Sequence, residues 1–337
     1  AHCKRFPRPC QAAQSATTPG RAAPCKLKSR GMSGAPVIRV SGIRKTYGDT
    51  IAVDEVSFEV PGGQIFGLIG PNGAGKTTTM ECVEGLRKPD RGRIEVFGLD
   101  PIKSAHALQR RIGVQLQEAQ LQKRIKVWEA VDLWASLFDA TVDAEGVLDQ
   151  LGLSDKRNAW FMTLSGGQKQ RLFIALALIN DPELVFLDEL TTGLDPQARH
   201  TIWDLARDIS ARGKTVFLTT HLMEEAERLC DHVAIIDHGR IIDHDTPPRL
   251  VARHCPQRSV LVSTTYPDAA AHFDALASVD TVTTEDAHIT IRGHGTDLVT
   301  ETIQCLSEHR MRVTLFRTEE PTLEDVFLTL TGRSVRE

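Results

Sequence analysis

The chain has 337 residues, enough for two folded units and an extension at roughly 100–200 residues per domain. A hydrophobic fraction of 41% and a charged fraction of 25% are ordinary for a globular protein. A formal net charge of -4 provides no global attraction to nucleic acid or acidic lipid. There is no run of about 18 apolar residues of the kind a membrane-spanning helix needs.

Residues 1–35 carry Lys4, Arg5, Arg8, Arg21, Lys26, Lys28 and Arg30 without an Asp or Glu, spaced by Pro, Ala and Ser. Such a stretch cannot bury a core and is expected to be a disordered basic tail. It lacks the apolar centre of a secretory signal, and its acid-free composition is compatible with a transit peptide. Met32, just ahead of the first strand-like segment, is the expected true start, with the tail then a misassigned or non-native extension. The seven cysteines, Cys3, Cys10, Cys25, Cys82, Cys230, Cys255 and Cys305, are odd in number and form no C-x-x-C pair. Free thiols in a reducing cytosol are expected.

From residue 36 to 254 strand-like and helix-like segments alternate, which predicts an α/β domain built on a mostly parallel sheet. Residues 38–40, 52–60 and 64–69 read as strands, and 76–85 as a helix. The apolar runs 183–187 and 215–219 read as buried strands, with a helix over 168–178 between the first of these and what precedes it. Residues 101–163 are mostly helical in pattern and predict a helical subdomain inserted in the α/β core. Residues 255–337 form a second, accessory unit. There 259–263, 279–283, 288–292 and 312–316 read as strands, and 268–277 and 298–309 as helices. This βαββαβ order is that of a ferredoxin-like α+β domain. Beyond it, Leu323, Val326, Phe327 and Leu330 recur at helical spacing and form an apolar stripe that needs a partner surface. The chain's own sheet, a second subunit and a permease are all open as that partner.

Gly70-Pro71-Asn72-Gly73-Ala74-Gly75-Lys76-Thr77 fits G-x-x-x-x-G-K-[ST] between a predicted strand and a predicted helix. Glycines let the backbone wrap phosphates with its N–H groups inward, and the helix start adds partial positive charge. Lys76 is expected on the β- and γ-phosphates, Thr77 on Mg²⁺, and Thr78 on a phosphate oxygen. The run Leu184-Val185-Phe186-Leu187 ends in Asp188-Glu189. A strand end of an α/β sheet opens into the ligand crevice. Asp188 is therefore expected on the metal side and Glu189 as general base for the attacking water. Alone, such a pair is more often two solvated acids; beside the phosphate loop the catalytic reading is stronger. His221 follows the apolar strand Val216-Phe217-Leu218-Thr219-Thr220 and is placed to bond a γ-phosphate. Leu164-Ser165-Gly166-Gly167-Gln168 opens a helix and makes a second anion site. One ATP does not need two distant helix starts of one chain, whereas two chains arranged head-to-tail use both.

With the phosphate loop and Leu164-Ser165-Gly166-Gly167-Gln168 together, the sequence resembles the ATP-binding subunits of ABC transporters over about 37–253. The resemblance implies a P-loop NTPase fold with an ABC-type helical subdomain, and ATP and Mg²⁺ as cofactors. It implies that Tyr47, in Lys45-Thr46-Tyr47-Gly48, stacks on adenine. Gln117 takes the place of the glutamine that ligates Mg²⁺ and senses the permease. Gly193-Leu194-Asp195 matches the loop between two subunits, with Asp195, Ser165, Gly166, Gly167 and Gln168 acting in trans. Leu190 departs from the family pattern, where Pro usually follows the catalytic Glu. Glu320-Pro321-Thr322-Leu323-Glu324-Asp325-Val326-Phe327 is similar to the end of the daunorubicin/doxorubicin-resistance type of subunit, whose permeases export drugs, lipids or polysaccharides.

The implied protein is an ATPase at the cytoplasmic face of the membrane. It works as a homodimer or pseudo-symmetric dimer with separate transmembrane permease subunits and binds no nucleic acid. The competing function is an ABC ATPase acting on nucleic acid or ribosomes. A single cassette, no long heptad run between Lys76 and Ser165, and the acidic balance weigh against it.

Overall fold

The computed structural model describes residues 36–115, 121–138, 143–285, 288–295 and 297–332. The expectations for 1–35, Met32 included, and for Gln117 fall outside the described residues. The four cysteines among the described residues, Cys82, Cys230, Cys255 and Cys305, are free.

In chain order the elements begin with β1 (Ile38–Tyr47), β2 (Thr50–Val60), β3 (Ile65–Ile69), α1 (Lys76–Glu84), β4 (Arg91–Val96), α2 (Ala105–Gln109) and β5 (Ile112–Gln115). Helices α3 (Val127–Ala135), α4 (Ala144–Gln150) and α5 (Gly166–Leu178) follow. The cassette continues through β6 (Leu184–Asp188), α6 (Pro196–Ala211), β7 (Thr215–Thr220), α7 (Met223–Leu229), β8 (His232–Asp237), β9 (Arg240–Asp245) and α8 (Pro247–His254). Six of the strands form one sheet in the order β5-β6-β7-β3-β8-β9, parallel except where β9 turns back on β8.

The centre of that sheet is covered on both faces, which is why β3, β6 and β7 are buried along their whole length rather than alternating, while the edge strand β9 alternates. Side chains of one strand still point alternately to the two faces. Ile65 and Ile69 of β3, Val185 and Leu187 of β6, and Val216 and Leu218 of β7 join a core with α5, α6 and α7. Phe66, Leu68, Phe186 and Phe217 face the other way, toward α1 and a three-stranded antiparallel sheet β2-β1-β4. Phe58, Phe66 and Phe217 lie with ring centroids 5.5–5.9 Å apart at that second interface.

One part of the expected helical stretch 101–163 is different. Ile112–Gln115 is strand β5, at the edge of the main sheet and paired in parallel with β6. Four residues are too few to show a strand period, and pairing with the buried β6 decides their conformation. The helices α3 and α4 come after it.

The remaining chain forms β10 (Arg258–Thr264), α9 (Ala269–Asp274), β11 (Val279–Glu285), β12 (His288–Gly293), α10 (Asp297–Glu308) and β13 (Val313–Glu319). Its four strands make a separate antiparallel sheet in the order β11-β12-β10-β13. Val260, Val262, Ile289 and Ile291 pack against Phe273, Leu298 and Leu306 of the two helices. The last helix, α11 (Leu323–Thr331), leaves this sheet and lies on α7 and α8. Its Leu323, Val326 and Phe327 are fully buried in the same core as Leu229 and Leu250, with Leu330 packed at the margin. The apolar stripe at the end of the chain therefore finds its partner in the chain's own cassette.

Candidate active site

Strand register builds the site. Ile69 of β3 pairs with Thr220 of β7, and Thr219 of β7 pairs with Asp188 of β6. The next residues along these strands are Gly70, His221 and Glu189. Three neighbouring strand ends thus deliver the phosphate loop, the two acids and the histidine to one crevice. Order in the sheet reverses beside β3, with β7 on one side and β8 on the other, and ligands of open α/β sheets bind at such a point.

The loop 70–75 is held at both ends by positions where only glycine fits. A Cβ on Gly70 would stand 2.1 Å from the Ile236 carbonyl oxygen. Gly75 has φ +102° and would bring a Cβ to 2.3 Å from the Ala52 carbonyl oxygen. Gly75 is also the N-cap of α1, so the loop feeds directly into a helix start. Asn72 and Gly73 are exposed at the tip, whereas Ala74 is buried. Lys76 is 4% exposed; its Nζ donates to the Gly70 carbonyl at 2.8 Å and the Pro71 carbonyl at 2.9 Å, and stands 3.9 Å from Glu189 Oε1. Burial lowers the Lys76 ammonium pKa, and the Glu189 and Asp188 carboxylates oppose that shift.

Asp188 is 5% exposed, and burial raises its carboxyl pKa. Hydrogen bonds from the Thr219 and Thr77 hydroxyls oppose the rise, and the neighbouring Glu189 adds to it. Glu189 has φ +47°, a strained conformation for a residue with a side chain. Its N–H donates to the Thr219 carbonyl at 3.1 Å and to Thr219 Oγ1 at 3.2 Å. The Thr192 hydroxyl donates to Glu189 Oε2 at 3.2 Å, and His221 Nδ1 lies 3.5 Å from Oε1. Leu190, where the resembled family usually has Pro, is 1% exposed and packs into the core beneath. Lys76, Thr77, Asp188, Glu189 and His221 are thus one cluster.

The remaining expected residues stand apart from that cluster. Ser165 N-caps α5: its Oγ accepts from Gln168 N at 3.3 Å, while Gln168 Oε1 accepts from Ser165 N at 2.9 Å. Ser165 and Gly166 are exposed. A Cβ on Gly167 would lie 3.1 Å from Ala198 Cβ, so this helix start adjoins the start of α6. Asp195 is exposed and caps α6, accepting from Ala198 N at 2.9 Å. Tyr47 is 41% exposed between Lys45 and Arg87, whose charges lie 5.7 and 5.5 Å from its ring centre. Sequence reasoning missed Thr219, which holds both acids, because a Thr within a strand is unremarkable. It also missed Glu225, hidden in the acid-rich run Glu224-Glu225-Ala226-Glu227.

Two helix starts, a lysine held in a glycine loop and a carboxylate beside a histidine make up the chemistry of nucleotide hydrolysis. The pattern of the ABC transporter family matches residues 53–192. The chain is 39% identical over 315 residues to the Nod factor export ATP-binding protein I of Ralstonia nicotianae, covering 91% of this chain and 97% of that one. It belongs to the ATP-binding subunits of ABC transporters. Among solved structures it is similar to an ATP-binding subunit of an ABC transporter, at 28% identity and TM-score 0.58. That likeness covers 64% of this chain and 92% of the other. It is also similar to an ATP-binding cassette in a dimeric post-hydrolysis state bound to ADP and Pi, at 25% identity and TM-score 0.55. There the match covers 62% of this chain and 98% of the cassette. The subunit has the mixed α/β cassette fold and is an ATPase whose hydrolysis drives transport by a separate permease. No helix among the described residues is long and apolar enough to cross a membrane.

Proposed function

We propose that this subunit hydrolyses ATP in two composite sites of a head-to-tail dimer and so powers an exporter. The observation that carries the reading is the placement of Lys76, Glu189 and His221 at adjacent strand ends, with Glu189 3.9 Å from the lysine and 3.5 Å from the histidine. Gly70, Pro71, Asn72, Gly73, Ala74, Gly75 and Thr78 cradle the phosphates, and Tyr47 stacks on the adenine. Thr77 and Asp188 hold Mg²⁺, with Gln117 as a further ligand; two hard oxygens already joined by a hydrogen bond suit that ion. When bound, Mg²⁺ neutralises charge that builds on the transferring phosphate. Glu189 takes the proton of the attacking water and His221 bonds the γ-phosphate. Ser165, Gly166, Gly167, Gln168 and Asp195 act on the partner's nucleotide.

The domain organisation follows the same reading. Residues 36–254 are the ATPase domain, and 255–337 an accessory domain whose βαββαβ order supports a ferredoxin-like fold. The permease is expected to dock on the helical subdomain, where Trp128, Leu133, Leu137, Trp160 and Met162 are all at least about one-third exposed. The subunit then sits at the cytoplasmic face of the membrane. Its tail segment around Pro321 supports the daunorubicin/doxorubicin-resistance type, and the Nod factor exporter relatives support export of a drug, lipid or polysaccharide.

Two variants test the catalytic roles. Glu189→Gln keeps Lys76 and Thr77, so it is expected to bind ATP normally and to lose on the order of 10²–10⁴-fold in steady turnover. Lys76→Ala is expected to lose ATP affinity. Near-normal turnover in the first, or unaltered nucleotide binding in the second, contradicts the assignment.

A further inference from the structure

We propose that Glu225 is a positioning residue for hydrolysis, tying the loop that follows Glu189 to the helix that follows His221. The proposal rests on the catalytic reading of those two residues. Glu225 lies on α7 and is 1% exposed. One of its oxygens, Oε1, accepts from Thr191 Oγ1 at 2.8 Å and from Trp203 Nε1 at 2.9 Å. Thr191 is two residues beyond Glu189 and is itself 1% exposed. Trp203 is on α6, the helix capped by Asp195. One carboxylate oxygen therefore joins the three segments that carry the base, the histidine and the subunit-facing aspartate.

Packing alone does not call for an acid at this position. Met223, Ala226 and Leu229 already bury the apolar face of α7. A carboxylate taken out of water is costly unless it is bonded, and Oε2 has no hydrogen-bond partner among the described residues. The strained Glu189 conformation, in contrast, needs support from outside. Thr219 fixes it on the strand side through the Glu189 N–H. On the other side the turn closes through Thr192 N to the Glu189 carbonyl at 3.3 Å and Leu194 N to the Thr191 carbonyl at 3.2 Å. Thr191 is where that turn meets Glu225. Strained backbone persists only where its surroundings over-determine it, and Glu225 supplies the second anchor.

Steady-state ATPase kinetics and melting temperatures of the full chain test this with T191V, E225Q, E225A, T191V/E225A and E189Q. T191V and E225A are expected to lower kcat by on the order of 10- to 100-fold with KM nearly unchanged, the effect of a small misplacement of a catalytic group. T191V is expected to lower kcat whatever its melting temperature; a merely structural contact would lower the melting temperature and leave kcat alone. In E225Q the remaining carbonyl oxygen still accepts both bonds, so most of the turnover returns. The double variant is expected to be no slower than E225A, because both changes remove one contact. Wild-type kcat in T191V, losses that multiply in the double variant, or E225Q as slow as E225A overturns the proposal. Should E225A not fold, T191V decides, and an unchanged kcat in it overturns the proposal. Near-normal turnover in E189Q overturns the catalytic reading itself; turnover lost in E189Q but intact in T191V overturns only the role of Glu225.

Discussion

Glu189 and Glu84 are both enclosed carboxyl groups, and the difference between them is the charge they face. Glu189 has the Lys76 ammonium 3.9 Å away. Glu84, near the end of α1, has no ion pair among the described residues, and burial pushes its carboxyl up to about 8, with Asp188 and Glu81 adding to the shift. A carboxyl raised above its ordinary 4.5 on folding holds its proton in the native state after the unfolded chain has lost it. Between those two pH values the native state carries more protons, so stability falls as pH rises from about 4.5 to about 8. The loss is on the order of 3–5 kcal/mol. Glu84→Gln cannot ionise, so its denaturant midpoint is expected to exceed that of the wild type at pH 8.5 and to approach it at pH 5. Parallel midpoints across that range contradict the burial account. Candidate residues that lie in contiguous motifs, such as Gly70 to Thr78 or Asp188-Glu189, stand out in the sequence because the chain brings them together locally. Glu225 and Thr191 do not, since 34 positions separate them and only folding makes them partners.

Elements divide along a similar line. Strands β3, β6 and β7 announce themselves as apolar runs because both faces are covered, and their register alone assembles the site. Strand β5 was hidden by its length, and β9 by the polar sequence Arg240-Ile241-Ile242-Asp243-His244-Asp245. Helix α11 was legible as an amphipathic stripe, but a stripe says only that a partner exists. Folding places it on α7, the helix that starts two residues after His221, and on α8. Its ends are fixed by a Thr322–Asp325 capping box and by Gly332 at φ +71°. Phe327 is 0% exposed in the cassette core. Phe327→Ala is therefore expected to cost about 3–5 kcal/mol in denaturant unfolding of the chain. A stability change below about 1 kcal/mol would mean that α11 does not belong to that core.

At the scale of the whole molecule, the arrangement leaves one anion-binding helix start in the crevice and a second one outside it. Gly75 opens α1 beside Lys76, while Ser165, exposed like Gly166, caps the start of α5. The proposed two-fold dimer would satisfy both, because each loop would then face the partner's Ser165–Gln168 segment across one nucleotide. Asp195, capping α6 next to that segment, falls at the same face. In the proposed dimer, hydrolysis would remove the γ-phosphate that bridges the halves and so would couple the chemistry to opening and to the permease. The most direct measurement is the molecular mass of Glu189→Gln in solution, by light scattering with and without Mg²⁺ and ATP. The composite-site account predicts a monomer without nucleotide and a stable dimer with it, and return to monomer when Ser165→Arg is added to the same chain. A monomer at saturating ATP, or a dimer indifferent to Ser165→Arg, would contradict it.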